Sequence, residues 1–376
     1  LNILQFSWAD TLIDPASIQL RVINPKTDVP IISTIFPPNL PNTIQWQVSA
    51  TVPDEQLLEV SYFTSGLTWN ANYTALLDKA EKSMSLTAYV DISNKSGEDY
   101  ENARTRLIVG DVRIIEDIRN LAIEKPVEDR RALLRKEAVM ARTATALAPP
   151  EEYSMDESFG FRPAAVNAET QTISEYYMYM LKGEDTIKDQ WRKKKTILFA
   201  DKIPYETIHK FGEYGEDVVL FYQFKNDDKS KLGKEPLPKG SVKVFLKGET
   251  NDISSYIGST NIEFIPIGSE VKLYMGADPE VKVKRKQMNI RRINLQFDKD
   301  NRMVRFDTER EYILEIENYK TEKIKLEIKE NLGRDWDIIS SSHKYEIKDA
   351  NSIEFKLDIP SKGKDTIKYQ VKFQGR

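Results

Sequence analysis

The sequence has no cysteine and only two histidines in 376 residues. The absence of cysteine excludes disulfides, thiolate nucleophiles, zinc ribbons and iron–sulfur clusters, so folding has to depend on packing alone. The two histidines, His209 and His343, lie far apart in the chain and fit no metal-ligand spacing such as H-E-x-x-H. We therefore predict ordinary structural roles for both.

Recognisable catalytic motifs are absent as well. No G-x-S-x-G nucleophile elbow, phosphate-cradling loop or G-x-G-x-x-G motif occurs, and no apolar run approaches the roughly 18 residues of a transmembrane span. We accordingly predict no catalytic residue, no cofactor, no metal and no transmembrane segment. A glycosidase-like pair of carboxylates stays open, because 59 acidic residues are present and one sequence cannot indicate which two meet.

The chain has no large excess of either charge, because it contains 55 basic and 59 acidic residues and its net charge is -4. The chain therefore has no global basic field, and we predict no nucleic-acid partner. Two local basic clusters contain the following residues: Trp191, Arg192, Lys193, Lys194 and Lys195, and Lys282, Lys284, Arg285 and Lys286. They indicate either a groove for an anionic polymer, with Trp191 stacking on it, or strand surfaces and edges that carry lysine against aggregation.

Alternation at period two is the dominant pattern, and it predicts half-buried β-strands throughout the chain. Ile324, Leu326 and Ile328 alternate with charged residues, and turn clusters separate such runs at the spacing of a sandwich. The same alternation is found at Leu86, Ala88, Val90 and Ile92, at Val242, Val244 and Leu246, at Ile353, Phe355, Leu357 and Ile359, and at Ile367, Tyr369, Val371 and Phe373. The predicted fold class is all-β, with tandem antiparallel β-sandwich modules and an immunoglobulin-like last module.

One segment interrupts this pattern with a composition rich in Ala, Leu, Arg and Glu. It begins at Pro126, which suits the first position of a helix, and the chain after residue 143 is rich in Ala and Pro. We predict a short helical and low-complexity insertion between β modules. The predicted divisions are 1–117 for an N-terminal β-sandwich region, 118–168 for the insertion, 169–295 for a middle β domain and 296–376 for the immunoglobulin-like sandwich.

Several segments together resemble the mucoidy-inhibitor-like family of uncharacterised bacterial and archaeal proteins, which has a conserved C-terminal domain of unknown function. Its most recognisable signature is similar to Leu58–Tyr73, which contains Ser-Tyr-Phe-Thr-Ser-Gly-Leu-Thr-Trp at 61–69. Further similar segments are residues 10–20, 175–179, 236–242, 285–287 and 335–343. The resemblance implies an effect on exopolysaccharide phenotype, and it carries over no catalytic residue.

The chain also departs from the family pattern. Members usually have His where Tyr177 stands, they carry strands before the point that corresponds to Leu1, and the region 36–45 is shortened here. If such a strand is missing, a sheet edge is open at the strand formed by Asn2, Ile3, Leu4, Gln5 and Phe6. A neighbouring chain could fill that edge by strand addition, and additions that do not close on themselves give a filament.

These observations favour a non-enzymatic structural protein of the cell envelope or the extracellular space. The predicted partners are further copies of the chain and an anionic surface polysaccharide. Two alternatives stay open: a polysaccharide-acting hydrolase, and an intracellular module that binds a protein partner in the cytoplasm. The triplets at Asn72 and Asn94 fit the N-glycosylation pattern, which matters if the protein is exported.

Overall fold

The computed structural model describes residues 2–8, 12–23, 30–49, 57–80, 82–109, 169–173, 176–248 and 254–375. Within this part of the chain the regular structure is β-strand, apart from two 3-10 helices at Pro15–Ser17 and Asp228–Ser230. This confirms the predicted all-β class. The predicted insertion at 118–168 lies outside the described residues.

The strands of the first half are short except for three long ones. In chain order they are β1 (Asn2–Ser7), β2 (Gln19–Val22), β3 (Ile31–Ile35), β4 (Thr43–Val48), β5 (Leu58–Ser61), β6 (Leu67–Asp78), β7 (Ser83–Asn94), β8 (Tyr100–Ala103), β9 (Arg106–Val109), β10 (Glu169–Ile173), β11 (Tyr176–Met180), β12 (Asp185–Ile187) and β13 (Arg192–Pro204).

The strands of the second half are longer and include a hairpin of two very long strands. They are β14 (Glu206–Phe211), β15 (Val219–Lys225), β16 (Gly240–Leu246), β17 (Ser255–Ile262), β18 (Glu270–Ala277), β19 (Val281–Phe297), β20 (Met303–Asn318), β21 (Ile324–Asn331), β22 (Trp336–Ser341), β23 (Tyr345–Asp349), β24 (Ser352–Ile359) and β25 (Lys364–Phe373).

The chain divides into two compact units. Unit 1 contains Leu1–Asn72 and Ala88–Phe199, and unit 2 contains Tyr73–Thr87 and Ala200–Arg376. A five-stranded sheet has the order β13-β7-β6-β16-β17. The alternation at Leu86, Ala88, Val90 and Ile92 is confirmed, because all four side chains of β7 are buried.

Unit 1 contains a small sheet of three strands in the order β1-β4-β3, which we call the edge sheet. Its inner face contributes Ile44, Trp46 and Val48 of β4 to a hydrophobic core with Trp8. Leu20 of β2 and Val60 of β5 pack against this core, and β2 and β5 pair with each other. Two further small sheets have the orders β10-β11-β9 and β12-β8.

Unit 2 contains a β-sandwich, which we call the C-terminal sandwich. One sheet has six strands in the order β18-β15-β14-β21-β24-β23, and the other has four in the order β19-β20-β25-β22. Alternate residues of both sheets form one core, as the sequence pattern predicts for Leu326, Phe355 and Tyr369, which are all buried.

Two features of this sandwich were not predicted. The strands β14 and β21 pair in parallel, with Ile208 opposite Lys325 and Phe211 opposite Ile328, although the prediction was of antiparallel modules. The boundary predicted at 295/296 falls inside β19, whose partner along most of its length is β20. Strands from the predicted middle domain and strands from the predicted last domain thus lie in the same two sheets. The division of the chain into domains at 169–295 and 296–376 stays a prediction.

Candidate functional site

The predicted open-edge strand is the first strand of the edge sheet. β1 pairs with β4, from Asn2 opposite Val48 to Ser7 opposite Thr43, and among the described residues it has no strand on its other side. Leu4 and Phe6 pack against the core of unit 1, whereas Ile3 is 61% exposed. The backbone on the outer side of β1 is therefore an edge of the kind to which a further strand can add.

The opposite side of the edge sheet is a second edge of the same kind. β3 pairs with β4, and no other described strand lies beside it. Its side chains Ile31, Ile32 and Ile35 are exposed, and Phe36 just after the strand is 54% exposed. The sheet thus has two different open edges, each with exposed apolar residues, within the described part of the chain.

Polar side chains hold the register of the edge sheet on its outer face. Gln45 of β4 donates from Nε2 to Gln5 Oε1 of β1 over 3.0 Å, and Ser33 of β3 donates to Gln47 Oε1 over 2.8 Å. A fixed register matters for strand addition because a slip of one residue moves every side chain to the other face of the sheet.

The first basic cluster, at the start of β13, is largely ion-paired. Lys193 and Lys195 both contact Asp185, at 2.7 and 2.5 Å, and Arg192 contacts Asp91 at 3.1 Å. Burial alone would raise the pKa of Asp185, but hydrogen bonds from the two lysines outweigh it and lower the pKa. Carboxylates of the protein itself therefore pair with all three of these cations, although Arg192 stays largely exposed.

Two aromatic rings at this cluster, those of Trp191 and of Tyr89 on β7, have lysine ammonium groups over them. The Lys194 ammonium lies 4.1 Å from the centre of the Tyr89 ring, and that of Lys188 lies 5.5 Å from the Trp191 ring. Trp191 is 52% exposed, and its carbonyl oxygen accepts a hydrogen bond from the Asn94 amide. The indole of Trp191 is thus accessible, as is the more exposed Arg192 side chain.

The second basic cluster lies on β19, which is an edge strand of its sheet among the described residues. Lys286 pairs with Glu315 across the hairpin at 2.5 Å, and Lys282 lies over the Tyr319 ring at 5.6 Å. Lys284 acts electrostatically on Glu317, whose pKa is lowered mainly by hydrogen bonds from Lys364 and Tyr319. This position matches the interpretation of the lysines as protection of an edge.

Arg285 points into the C-terminal sandwich. Its Nε lies 2.7 Å from Glu330 Oε2, and Tyr369 donates its hydroxyl hydrogen to the same oxygen. The guanidinium group lies 4.4 Å from the centre of the Tyr312 ring, which stacks on Tyr369. Glu330 is buried, so Arg285 neutralises an internal carboxylate and differs from its lysine neighbours in role.

Both histidines have acidic partners that sequence reasoning did not find. His209 of β14 is buried and lies 3.0 Å from Asp278, which also contacts Lys320 at 2.8 Å. His343 is partly exposed and lies 3.3 Å from Asp365. The partners are distant in sequence, and no local motif could have indicated them.

Unit 1 contains a cleft of 580 Å³. Its lining residues are Arg104, Thr105, Arg106, Met180, Leu181, Gly183 and Glu184. They include one carboxylate, Glu184, and it pairs with Arg104 at 3.2 Å. The described residues contain no group of three or more His, Cys, Asp or Glu side chains placed to hold a metal ion.

Asn72 and Asn94 of the glycosylation triplets have structural roles. Asn94 is fully buried, and its Nδ2 donates to the carbonyl oxygens of Glu98 and Ile187 at 2.7 and 3.0 Å. Asn72 donates to Asp91 at 2.7 Å. N-glycosylation would modify Asn94 Nδ2, the atom that donates both hydrogen bonds, and the side chain is fully buried. The folded protein therefore does not accommodate a glycan at Asn94.

The fold and these surfaces define a β-sheet protein whose accessible features are sheet edges, an exposed hairpin and single exposed aromatic residues. The chain belongs to the family described as Domain of unknown function (DUF4139), whose sequence pattern matches residues 58–374. The edge-sheet strands β1, β3 and β4 precede the matched region. No curated protein matches the chain. Among the described residues, no helix is both long and apolar enough to cross a membrane.

Proposed function

We propose that the protein is a non-enzymatic structural protein of the cell envelope or the extracellular space, which assembles with copies of itself by β-strand addition. The observation that carries the proposal is the edge sheet, whose strands β1 and β3 both lack a further neighbour among the described residues. Two different edges on one small sheet permit β1 of one copy to pair with β3 of the next. Such a heterologous contact repeats without closing and produces a filament.

The apolar residues at the edges support this arrangement. Ile3 at one edge and Ile32 at the other are 61% and 56% exposed, and both would be covered by an added strand. Lysine and proline are common protections of natural edge strands against pairing, and β1 and β3 contain neither, although β3 has a register shift between Ile31 and Ser33. The basic edge strand β19 is protected in this way and makes a poorer assembly edge.

The envelope location and the polysaccharide partner rest on other observations. The resemblance to mucoidy-inhibitor-like proteins favours a role in exopolysaccharide phenotype, and the exposed Trp191 offers an aromatic face for a sugar ring. The alternative of a hydrolase would need two carboxylates at a common cleft. The cleft beside Arg104 offers one, so no observation favours that alternative here.

The test uses the full chain in analytical ultracentrifugation over a range of concentrations. We expect the mean mass of the wild type to rise continuously with concentration, because open-ended addition has no fixed final size. Ile3→Lys blocks one edge and Ile32→Lys the other, so each variant alone should remain monomeric. Mixing the two variants leaves one intact edge on each and should give dimers and nothing larger.

The matched control is Ile267→Lys, which places the same charge at a 52% exposed isoleucine in a turn of unit 2 and should assemble like the wild type. A wild-type mass that is monomeric at every concentration would overturn the proposal. Assembly that neither edge variant weakens would also contradict it, because the contact would then lie elsewhere.

A further inference from the structure

The cleft of unit 1 is formed by two neighbouring connections between strands. Residues 104–106 come from the link between β8 and β9 and the start of β9, and residues 180–184 come from the end of β11 and the turn before β12. Its volume of 580 Å³ lies within the range of small-molecule sites, which is about 300–1,000 Å³. The cleft is therefore large enough to hold a small organic ligand.

Two guanidinium groups are the main charged groups that line this cleft. Arg104 and Arg106 are both exposed, and Arg106 forms no ion pair with any described residue. Arg104 donates from Nε to Glu184 Oε1 over 3.2 Å, and these two side chains are 82% and 49% exposed. An exposed pair of this kind contributes about 1 kcal/mol or less, so the anionic group of a ligand can replace Glu184 at Arg104.

The neighbouring carboxylates leave Arg106 unpaired. Asp185 follows Glu184 in the chain, and it already contacts Lys193 and Lys195 at 2.7 and 2.5 Å. Glu169 of β10 is separated from Arg106 by the strand β11, since both residues pair with Met180. The described side chains that line the cleft thus carry two positive charges and one negative charge.

Hydrogen bonds fix the two segments that form the cleft. The Leu181 amide donates to the Thr105 carbonyl oxygen over 3.0 Å, and Lys195 Nζ donates to the Lys182 carbonyl oxygen over 2.7 Å. Gly183 turns the chain with a φ of 83°, and no atom lies within 4 Å of its Cβ position, so the backbone of the turn is accessible there. The cleft is formed before a ligand arrives, which lowers the entropic cost of binding.

We infer that this cleft is a binding site for a small organic carboxylate, whose carboxylate group is bound by Arg106 and Arg104. A guanidinium group offers parallel N–H donors that match the two oxygens of a carboxylate. The lining charge of one net positive unit suits a single carboxylate better than a doubly charged phosphate. Met180 and Thr105 offer an apolar and a hydroxyl contact to the body of the ligand. The site is separate from the strand edges β1 and β3, so its occupancy does not depend on assembly.

The experiment is surface plasmon resonance with the full chain immobilised sparsely, so that copies do not assemble, and with glucuronate as the probe. We expect saturable binding that weakens at high salt, and at least about tenfold weaker binding of uncharged glucose. A trimer of glucuronate distinguishes the source of the carboxylate, because a polymer ligand predicts tighter binding of the trimer and a free acid predicts equal molar affinity.

The variants separate a carboxylate site from simple attraction of charge. Arg106→Gln should lose at least about tenfold in affinity, and Arg106→Lys should also bind more weakly, because a lysine cannot form the paired bonds. Glu184→Gln should bind about threefold more tightly, since it releases Arg104 from its internal partner. The control is Arg21→Gln, which removes an exposed arginine from β2 of the same unit and should bind like the wild type.

Several outcomes would overturn the inference. Absence of saturable glucuronate binding is one, and unchanged binding by Arg106→Gln or Arg106→Lys is another. Tighter binding of inorganic phosphate than of glucuronate would assign the cleft to a phosphate ligand instead. Tighter binding of a pentaglutamate peptide than of the glucuronate trimer would assign it to an acidic peptide.

Discussion

The side chains of His209 and Asp278 lie inside unit 2 with Nε2 and Oδ2 only 3.0 Å apart, and both are almost completely buried. Asp278 also contacts the Lys320 ammonium group at 2.8 Å and accepts from the Glu280 backbone amide at 3.1 Å. His209 Nδ1 has no hydrogen-bond partner among the described residues. The three side chains connect β14, the turn between β18 and β19, and the turn after β20 at one rim of the C-terminal sandwich.

We predict that Asp278→Asn destabilises the protein by about 2–4 kcal/mol, because the buried His209 loses its charged acceptor and the half-buried Lys320 ammonium loses its closest counter-ion. Chemical denaturation followed by tryptophan fluorescence measures the loss. Asp300→Asn, at the exposed turn between β19 and β20, is the control and should stay within about 0.5 kcal/mol of the wild type. Equal stability of both variants would show that the rim cluster contributes nothing.

The same carboxylate should give the protein a specific acid sensitivity. Burial alone would raise the pKa of Asp278, but hydrogen bonds from His209 and Lys320 outweigh it and hold the pKa well below its usual range. A carboxyl with a lowered folded pKa contributes stability above its unfolded pKa of about 3.9 and loses it as the pH falls through the folded value. Unfolding free energies measured below about pH 4 should therefore fall more steeply in the wild type than in Asp278→Asn.

The strands of the C-terminal sandwich could be predicted from sequence because buried and exposed side chains alternate along each strand. Ile324, Leu326 and Ile328 of β21 are buried as predicted, and so are Ile367, Tyr369 and Val371 of β25. Period-two alternation reports directly on which face of a strand meets the core, whatever strand lies beside it. Strand identity and core membership are therefore local information.

Strand neighbours and polar partners are not local information. Nothing in the residues of β14 indicates that it pairs in parallel with β21, because the same alternation fits either neighbour. The contacts of Asp278 with His209 and Lys320 likewise depend on where strand β14 and two turns meet after folding. The basic cluster at Lys282 to Lys286 shows the same limit, since the role of Arg285 depends on Glu330 of another strand.

The pair of Arg285 with the buried Glu330 should be more important for stability than the surface pair beside it, because Glu330 is 3% exposed and Glu315 is 42% exposed. We predict that Glu330→Gln costs about 1–3 kcal/mol, because the buried Tyr369 hydroxyl and the partly exposed Arg285 both lose a charged acceptor. Glu315→Gln, which breaks the exposed pair with Lys286, is the control and should cost less than about 1 kcal/mol. Urea denaturation of both variants compares them, and equal losses would contradict the internal role.

Asn94 should be essential to the local structure of unit 1. Its Oδ1 accepts from the Ser96 amide at 3.0 Å in addition to the two bonds that its Nδ2 donates. We predict that Asn94→Ala costs about 2–4 kcal/mol, since buried carbonyl oxygens lose their donors. Asn72→Ala, which removes one half-buried bond to Asp91, should cost about 1 kcal/mol or less. Hydrogen exchange of the Ser96 and Glu98 amides should increase in Asn94→Ala and not in Asn72→Ala.

Gly212 tests how closely β14 and β21 approach each other. It follows β14 with a φ of 85°, and a Cβ atom on it would lie 2.1 Å from the Lys329 carbonyl oxygen. Gly268 has a similar φ of 81° and no atom within 4 Å of its Cβ position, so Gly268→Ala measures the backbone strain alone. We predict a loss of about 1–2 kcal/mol for Gly268→Ala and at least about 2 kcal/mol more for Gly212→Ala, because the clash forces the parallel strands apart. Thermal unfolding of the two variants measures the difference between their losses of stability. Equal losses would mean that β21 lies farther from Gly212 than the 2.1 Å between the Cβ position and the Lys329 carbonyl oxygen implies.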